Sequence, residues 1–567
     1  MTDAGGTDAG RADAVGAADE GTRADLEFVT IPALLRAAAA AHGGSEAVVD
    51  HSCEPAVRLT YAELRTRVDE LAAAVIRAGI APGDRVAIWA PNCWEWIVAL
   101  LGLQSAGGVL VPLNTRYKGI EAADILRRSR ARLLFTVEGF LGNEYVSMLR
   151  ADGAGELPDL ERIVLLRDTG ARPDDVSTLE EFVSGANSPG ANGVSQDEVT
   201  ARVEALTGAD LSDLLFTSGT TGSPKGVMLS HSQTLRAFGD WADTVGLRAG
   251  DRYLVINPFF HAFGYKAGII SSLIAGATLV PVAVFDLDRV MDLIETERIS
   301  VIPGPPTIYQ GLLNHPGLDP TRMTSLRLAV TGAAPVPVEL VERMRDTLGF
   351  RTVVTAYGMT EACGIATTCR PEDAPGIISA TSGRAYPGVE VRVVDDAGVE
   401  LAAGGAGEIL VRGYNVMRGY FEDPEKTAET IDADGWLHTG DVGVMDDAGY
   451  LRITDRIKDM FISGGFNAYP AEIERLLLTH PHIAQAAVVG VPDERMGEAG
   501  YAYVLPVSGT TPDPAEIVTW ARQNMANFKA PKYVEVVEAM PLNASGKILK
   551  FELRARAVET LSAAPAS

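Results

Sequence analysis

The chain has 567 residues, more than one compact core ordinarily uses, so at least two domains are expected. Hydrophobic residues make up 47% and charged residues 22%, the balance of a globular protein. A formal net charge of −26 excludes a general nucleic-acid binder, because phosphate affinity rests on clustered Lys and Arg; anionic ligands would need local donors and cations.

Residues 1–27 are acidic and small, with almost no large apolar side chains. Lacking a basic n-region and an apolar h-region, they read as a disordered tail and not a signal peptide. A helical stretch at 60–78, stopped by Gly79, precedes a short apolar strand at 85–89. The uncharged runs 96–114 and 267–285 are each long enough for a membrane span. Gly107-Gly108 and Gly276 interrupt them, and β-branched residues follow, so helix, glycine turn and buried strand are expected instead. Further strands are expected at 108–112, 133–136 and 162–166, with a helix at 119–129 and a Gly/Ser/Asn-rich surface loop at 184–196.

Towards the C-terminus the scale changes. Strands at 486–491, 501–506 and 533–537 with helices at 470–479 and 514–525 suit a small α+β unit. The fold class expected is α/β: a large multi-layered N-terminal domain with mainly parallel sheets, then a small α+β C-terminal domain. The boundaries expected are a tail to 27, a large domain 28–455, a hinge 456–458, a small domain 459–556 and a tail 557–567. Cys53, Cys93, Cys363 and Cys369 form no CxxC pair and read as reduced thiols of a cytoplasmic protein.

The segment TSGTTGSPKG, from Thr217 to Gly226, follows the apolar run Leu214-Leu215-Phe216. Gly219, Gly222 and Gly226 let backbone N–H groups approach phosphate oxygens, Thr217, Ser218, Thr220, Thr221 and Ser223 add hydroxyls, and Lys225 adds a point charge. It is not a Walker A loop: Lys225 is followed by Gly226 where Ser or Thr is required, and Val227-Met228-Leu229 reads as a strand, not a helix.

This loop resembles the signature of the adenylate-forming superfamily, which includes acyl-CoA synthetases, peptide-synthetase adenylation domains and luciferases. Further motifs follow in the family's order from about Phe28 to Arg554. Tyr357-Gly358-Met359-Thr360-Glu361 is similar to the YGxTE segment, which implies Glu361 on Mg²⁺, Thr360 on the α-phosphate and Tyr357 on adenine; an oxygen ligand is what Mg²⁺ prefers. Gly332-Ala333-Ala334-Pro335 resembles the segment that lies against adenine. Trp436 to Asp441 resembles the TGD motif, so Asp441 is the candidate for the ribose hydroxyls, which an acceptor-only carboxylate suits, with Arg456 completing the grip.

Phe259-Phe260-His261-Ala262-Phe263-Gly264 falls where the family places a gate between nucleotide and acyl pockets, His261 being the gate. Adenylation domains for amino acids carry an Asp in this neighbourhood; its absence favours a plain carboxylic acid. Pro541 to Lys547 resembles the motif of the catalytic lysine, Lys547. Gly464-Gly465-Phe466 falls where the phosphopantetheine arm of CoA would pass, and the resemblance implies a small mobile α+β C-terminal domain hinged at Lys458.

The resemblance implies an acid:CoA ligase using ATP, CoA and Mg²⁺, acting without nucleic acid or membrane insertion, as monomer or homodimer. The segments 257–269 and 304–313 resemble a subgroup that includes actinobacterial ligases acting on a bicyclic indanedione propanoate left by steroid-ring degradation. Phe260, Phe263 and Tyr309 would wall a wide apolar pocket, with Tyr265 and Lys266 as donors to a ketone or, alternatively, pointing to solvent. A medium-chain fatty acid ligase, a ligase loading a carrier protein, a luciferase-like oxygenase and a non-catalytic nucleotide or acyl sensor are the competing readings.

Overall fold

Local capping fixes where the elements begin. Thr60 accepts from the Glu63 amide while Glu63 returns to the Thr60 amide, a reciprocal box that starts the helix Tyr61–Arg77. Ser230 and Gln233 do the same for His231–Val245. The structure is a computed structural model and describes residues 29–151, 154–168, 170, 172–185, 193–217, 224–332, 336–456, 459–463, 466–493, 495–525, 527–542 and 548–563.

Two large sheets form the first body. In one, Thr352–Tyr357, Leu328–Thr331, Val301–Pro303, Arg252–Val255, Thr278–Pro281 and Glu46–Asp50 run side by side in parallel, with antiparallel strands at both edges. In the other, Leu211–Thr217, Val109–Pro112, Arg85–Trp89, Leu133–Thr136, Arg162–Leu165 and Val176–Thr178 are parallel, and Lys225–Ser230 folds back antiparallel on Leu211–Thr217. An antiparallel sheet of Val389–Val394, Ala406–Gly413, Leu437–Met445 and Leu451–Arg456 follows.

The helix Trp94–Ser105 is buried around its whole circumference from Glu95 to Ser105. An apolar helix with no polar face belongs in a core, and this one explains the uncharged run read in the sequence. Its one acid, Glu95, is paired with Arg167 at 2.6 and 2.8 Å. The second run resolves likewise into Phe263–Ile270, Ser271–Ala275, the left-handed Gly276 and the strand Thr278–Pro281. No described helix is long and apolar enough to cross a membrane.

The small C-terminal domain is a separate sheet in which Gly497–Pro506 pairs antiparallel with Ile483–Asp493 and parallel with Tyr533–Val536. Strand alternation gives it two apolar faces. Val488 and Val504 join Ile473, Leu477 and Ile517 on one side; Val489, Val491 and Tyr503 join Leu553 and Ala557 on the other.

Candidate active site

The strand Leu211–Thr217 carries the chain to the edge of its sheet, and Lys225–Ser230 returns from it. Ser218, Gly219, Thr220, Thr221 and Gly222, between them, lie outside the described residues. The returning strand is tied to a distant segment: the Phe421 amide donates to the Gly226 carbonyl at 2.7 Å and the Met228 amide to the Gly419 carbonyl at 3.0 Å. That pairing sets the Tyr420 ring beneath Lys225, whose ammonium lies 5.1 Å from the ring centre.

Glu361 stands in a short 3₁₀ turn, Thr360–Ala362, closed by the Gly364 amide on the Met359 carbonyl. Gly358 is required there: a Cβ would come 2.2 Å from the Gly364 carbonyl oxygen. The Glu361 carbonyl accepts from Met417 at 2.8 Å. Its Oε1 accepts from the Tyr420 hydroxyl at 3.1 Å, and Thr217 Oγ1 lies 3.5 Å away. Burial and the nearby carboxylate push the Tyr420 phenol well above its ordinary range, so it stays a donor. Thr217 and Lys225, from one segment, and the sequence-distant Glu361 thus share one neighbourhood organised by Tyr420. Nothing in the sequence marked Tyr420, which acts through a strand pairing visible only in the fold.

Asp441 and Tyr357 are also brought together. The phenol donates to Asp441 Oδ2 at 2.5 Å, and the Asp441 amide donates to Thr439 Oγ1 at 3.1 Å. Asp441 lies opposite Arg456 in the antiparallel register of their strands. Gly332 follows directly on Leu328–Thr331, while Ala333 and Ala334 lie outside the described residues. So do Lys458, Gly464, Gly465 and Lys547. Phe466 opens the strand Phe466–Ala468, paired with Ser463.

His261 is exposed beside the start of the π-helix Phe263–Ile270, its Nδ1 accepting from the Phe263 amide at 3.2 Å. Phe260 is half-buried; Phe259 is fully buried against Trp96, ring centres 5.2 Å apart. Phe263 meets Trp241 edge-on at 5.9 Å. The turn after Glu361 reaches this wall, since a Cβ on Gly364 would sit 3.4 Å from the Phe238 ring and 3.6 Å from Ala262. The segment carrying His261 and the neighbourhood of Glu361 are therefore contiguous.

Three residues expected in the acyl pocket have their polar atoms engaged elsewhere. Tyr309 donates to the carbonyls of Ile302 at 2.7 Å and Val330 at 3.2 Å, bracing two parallel strands. Lys266, fully buried, pairs with Asp213 at 3.0 Å and donates to Thr234 at 2.9 Å. The Tyr265 hydroxyl, also fully buried, lies 3.3 Å from the Gln104 amide and 3.4 Å from Asp213. Lys266 and Tyr265 thus neither point to solvent nor stand spare for a substrate ketone; a lysine enclosed by protein takes the carboxylate that offsets its desolvation.

The profile of the family "AMP-binding enzyme" matches residues 35–421, and "AMP-binding enzyme C-terminal domain" matches residues 472–547. The chain is 48% identical over 527 residues to the 3-[(3aS,4S,7aS)-7a-methyl-1,5-dioxo-octahydro-1H-inden-4-yl]propanoyl:CoA ligase of Rhodococcus jostii, covering 93% of this chain and 98% of that one. It is 50% identical over 497 residues to the ligase of the same name from Mycobacterium tuberculosis, covering 88% and 94%. Among solved structures it is similar to ATP-bound MatB of Rhodopseudomonas palustris, with a TM-score of 0.78 and 29% identity over 93% of this chain and 98% of the other. The chain belongs to the AMP-binding enzyme family and, within it, to the ligases that join a carboxylic acid to CoA through an acyl-adenylate.

Proposed function

We propose that the acid is a propanoate borne on a ketone-bearing bicycle of the indanedione type. The observation that carries this is the 48–50% identity, along most of the chain, to two ligases named for that acid. Two packed ring pairs, Phe259 on Trp96 and Phe263 on Trp241, support it by giving the segment that carries His261 a rigid aromatic backing.

In this reading the acid carboxylate attacks the α-phosphorus of ATP and pyrophosphate leaves; the CoA thiolate then attacks the acyl carbonyl and AMP leaves. Thr217, Lys225 and Thr360 hold phosphate oxygens, Tyr357 and Gly332 border adenine, and Asp441 with Arg456 takes the ribose. Glu361 suits Mg²⁺, which is commonly held by one or two carboxylates together with substrate phosphates. When bound, the ion would neutralise phosphate charge. Lys547 supplies an ammonium to the oxygens at which charge develops. His261, exposed beside the π-helix, gates the passage between the two sites, and Phe466 lies along the path of the pantetheine arm.

The test compares kcat/KM for the indanedione propanoate, octanoate and decanoate. A linear pocket gains about 0.8 kcal/mol per methylene buried, so efficiency would climb with chain length. Preference for the bicycle over both straight chains is expected, and a clear preference for decanoate would sink the reading.

A further inference from the structure

The ion pair between Lys266 and Asp213 has both side chains at 0% exposure and belongs to none of the steps above. A buried pair seldom adds net stability, because desolvation cancels most of the attraction; where one persists, a role in fixing geometry is the hypothesis to test. Its neighbours show what geometry is at stake. Asp213 lies on Leu211–Thr217, the strand that runs into the phosphate loop. Lys266 is in the π-helix that carries Phe263 and Tyr265. Thr234, which accepts from Lys266, lies on the same helix face as Phe238 and Trp241, at spacings of four and seven residues. Cys363, 3.6 Å from the ammonium, closes the Glu361 turn in a left-handed conformation. The second carboxylate oxygen of Asp213 accepts from Ser212 at 2.6 Å and lies near the Tyr265 hydroxyl.

We propose that Lys266 is a positioning residue for the acyl side of the site: through Asp213 and Thr234 it fixes the rotation of the π-helix against the phosphate-loop strand, the aromatic face of His231–Val245 and the Glu361 turn. A π-helix is rare and usually short, so its register needs support from outside. The ammonium supplies it with hydrogen bonds to Thr234 and Cys363 and an ion pair to Asp213, on three other segments at once. Rotation of the π-helix would move Phe263 and Tyr265 together and misplace the acid carboxylate, while the ribose contacts at Asp441 would stay put.

This inference rests on the reading that residues 257–270 border the acyl group, and the experiment separates the two. The double variant Lys266→Met/Asp213→Asn removes both charges while keeping similar volumes, so no lone charge is left buried. It should melt cooperatively within a few degrees of wild type and keep its KM for ATP. Its kcat/KM for the acid should fall about 10- to 100-fold, the scale of an ångström-sized misplacement. Thr234→Val, which leaves the pair intact and removes the hydroxyl with its contacts to Lys266 and Cys363, should move the acid constants the same way by about two- to tenfold. All variants are assayed with whichever acid wild type uses best. Wild-type turnover of none of the acids would discard the substrate reading. Wild-type turnover with acid constants unchanged in Thr234→Val, or with ATP and acid constants shifting equally in either variant, would overturn the positioning role.

Discussion

Glu361 shows what sequence can and cannot say of a residue. The role proposed for it comes from the sequence, where Thr360-Glu361 lies inside a five-residue segment whose family resemblance implies an oxygen ligand. Its surroundings do not: Tyr420, which donates to that carboxylate, arrives through the pairing of Phe421 with Gly226, a contact between segments 195 residues apart in sequence. Lys266 was misjudged for the opposite reason. A lysine among apolar residues looks available until the partner is seen, and Asp213 lies 53 positions upstream with nothing to connect the two. Lys547 is readable only from its motif, and the role proposed for it would divide the reaction cleanly. Lys547→Ala should slow acyl-adenylate formation by about a hundred- to a thousandfold, the usual cost of losing one stabilising donor. Thioester formation from supplied acyl-adenylate should be largely spared; equal loss in both assays would make Lys547 a structural residue.

Elements were easier to read than contacts wherever periodicity and caps agreed. The helix expected at 119–129 is observed as Gly119–Ser129, and the strand expected at 85–89 as Arg85–Trp89. The π-helix escaped, because its wider turn leaves no periodicity of its own in eight mostly apolar residues. Between elements, the segment at Lys458 is the proposed pivot. Proline there would fix φ and remove a donor, so Lys458→Pro should leave adenylation near wild type and cut thioester formation by orders of magnitude. Normal rates for both steps would place the pivot elsewhere.

The edge of the large sheet carries a second legible consequence. Arg58 and Arg252 each bridge Glu46, at 2.8 and 2.7 Å, and Glu297, which His51 also contacts at 2.7 Å. Burial acts to raise the Glu297 carboxyl, but His51, Arg58 and Arg252 outweigh it and hold it below its usual 4.5. A depressed carboxylate stabilises the fold above the unfolded-state value, and that stabilisation is lost as pH falls through the folded one. Glu297→Gln should therefore lower Tm at pH 7, with the gap to wild type closing below about pH 4.5. A gap independent of pH would mean that packing, not charge, holds this corner.

For the whole molecule, charge acts against its own substrates. A net charge of −26 repels ATP and CoA, both polyanions, and the local cations have to overcome that field. Salt screens the long-range repulsion before it weakens contacts inside the site. Raising NaCl from about 10 to 150 mM should therefore increase kcat/KM for CoA, since the Debye length falls from roughly 30 to 8 Å. A steady fall with salt would show that a local basic funnel dominates. The two-domain α/β organisation was legible because strands and helices alternate and then change scale after residue 459. How the sheets abut was not, because sheet-to-sheet packing leaves no local pattern.

The helix Trp94–Ser105 bears on how such a molecule is made. Until its neighbouring helices and sheets close over it, the nascent chain shows the cell an uncharged stretch from Trp96 to Asn114, close to what an insertion channel accepts as a bilayer anchor. The glycine pair near its middle breaks the run, and packing against partners such as Tyr61–Arg77 covers it in the folded protein. A polypeptide held extended after synthesis of its first hundred residues would be chaperone prey for as long as that helix stays uncovered.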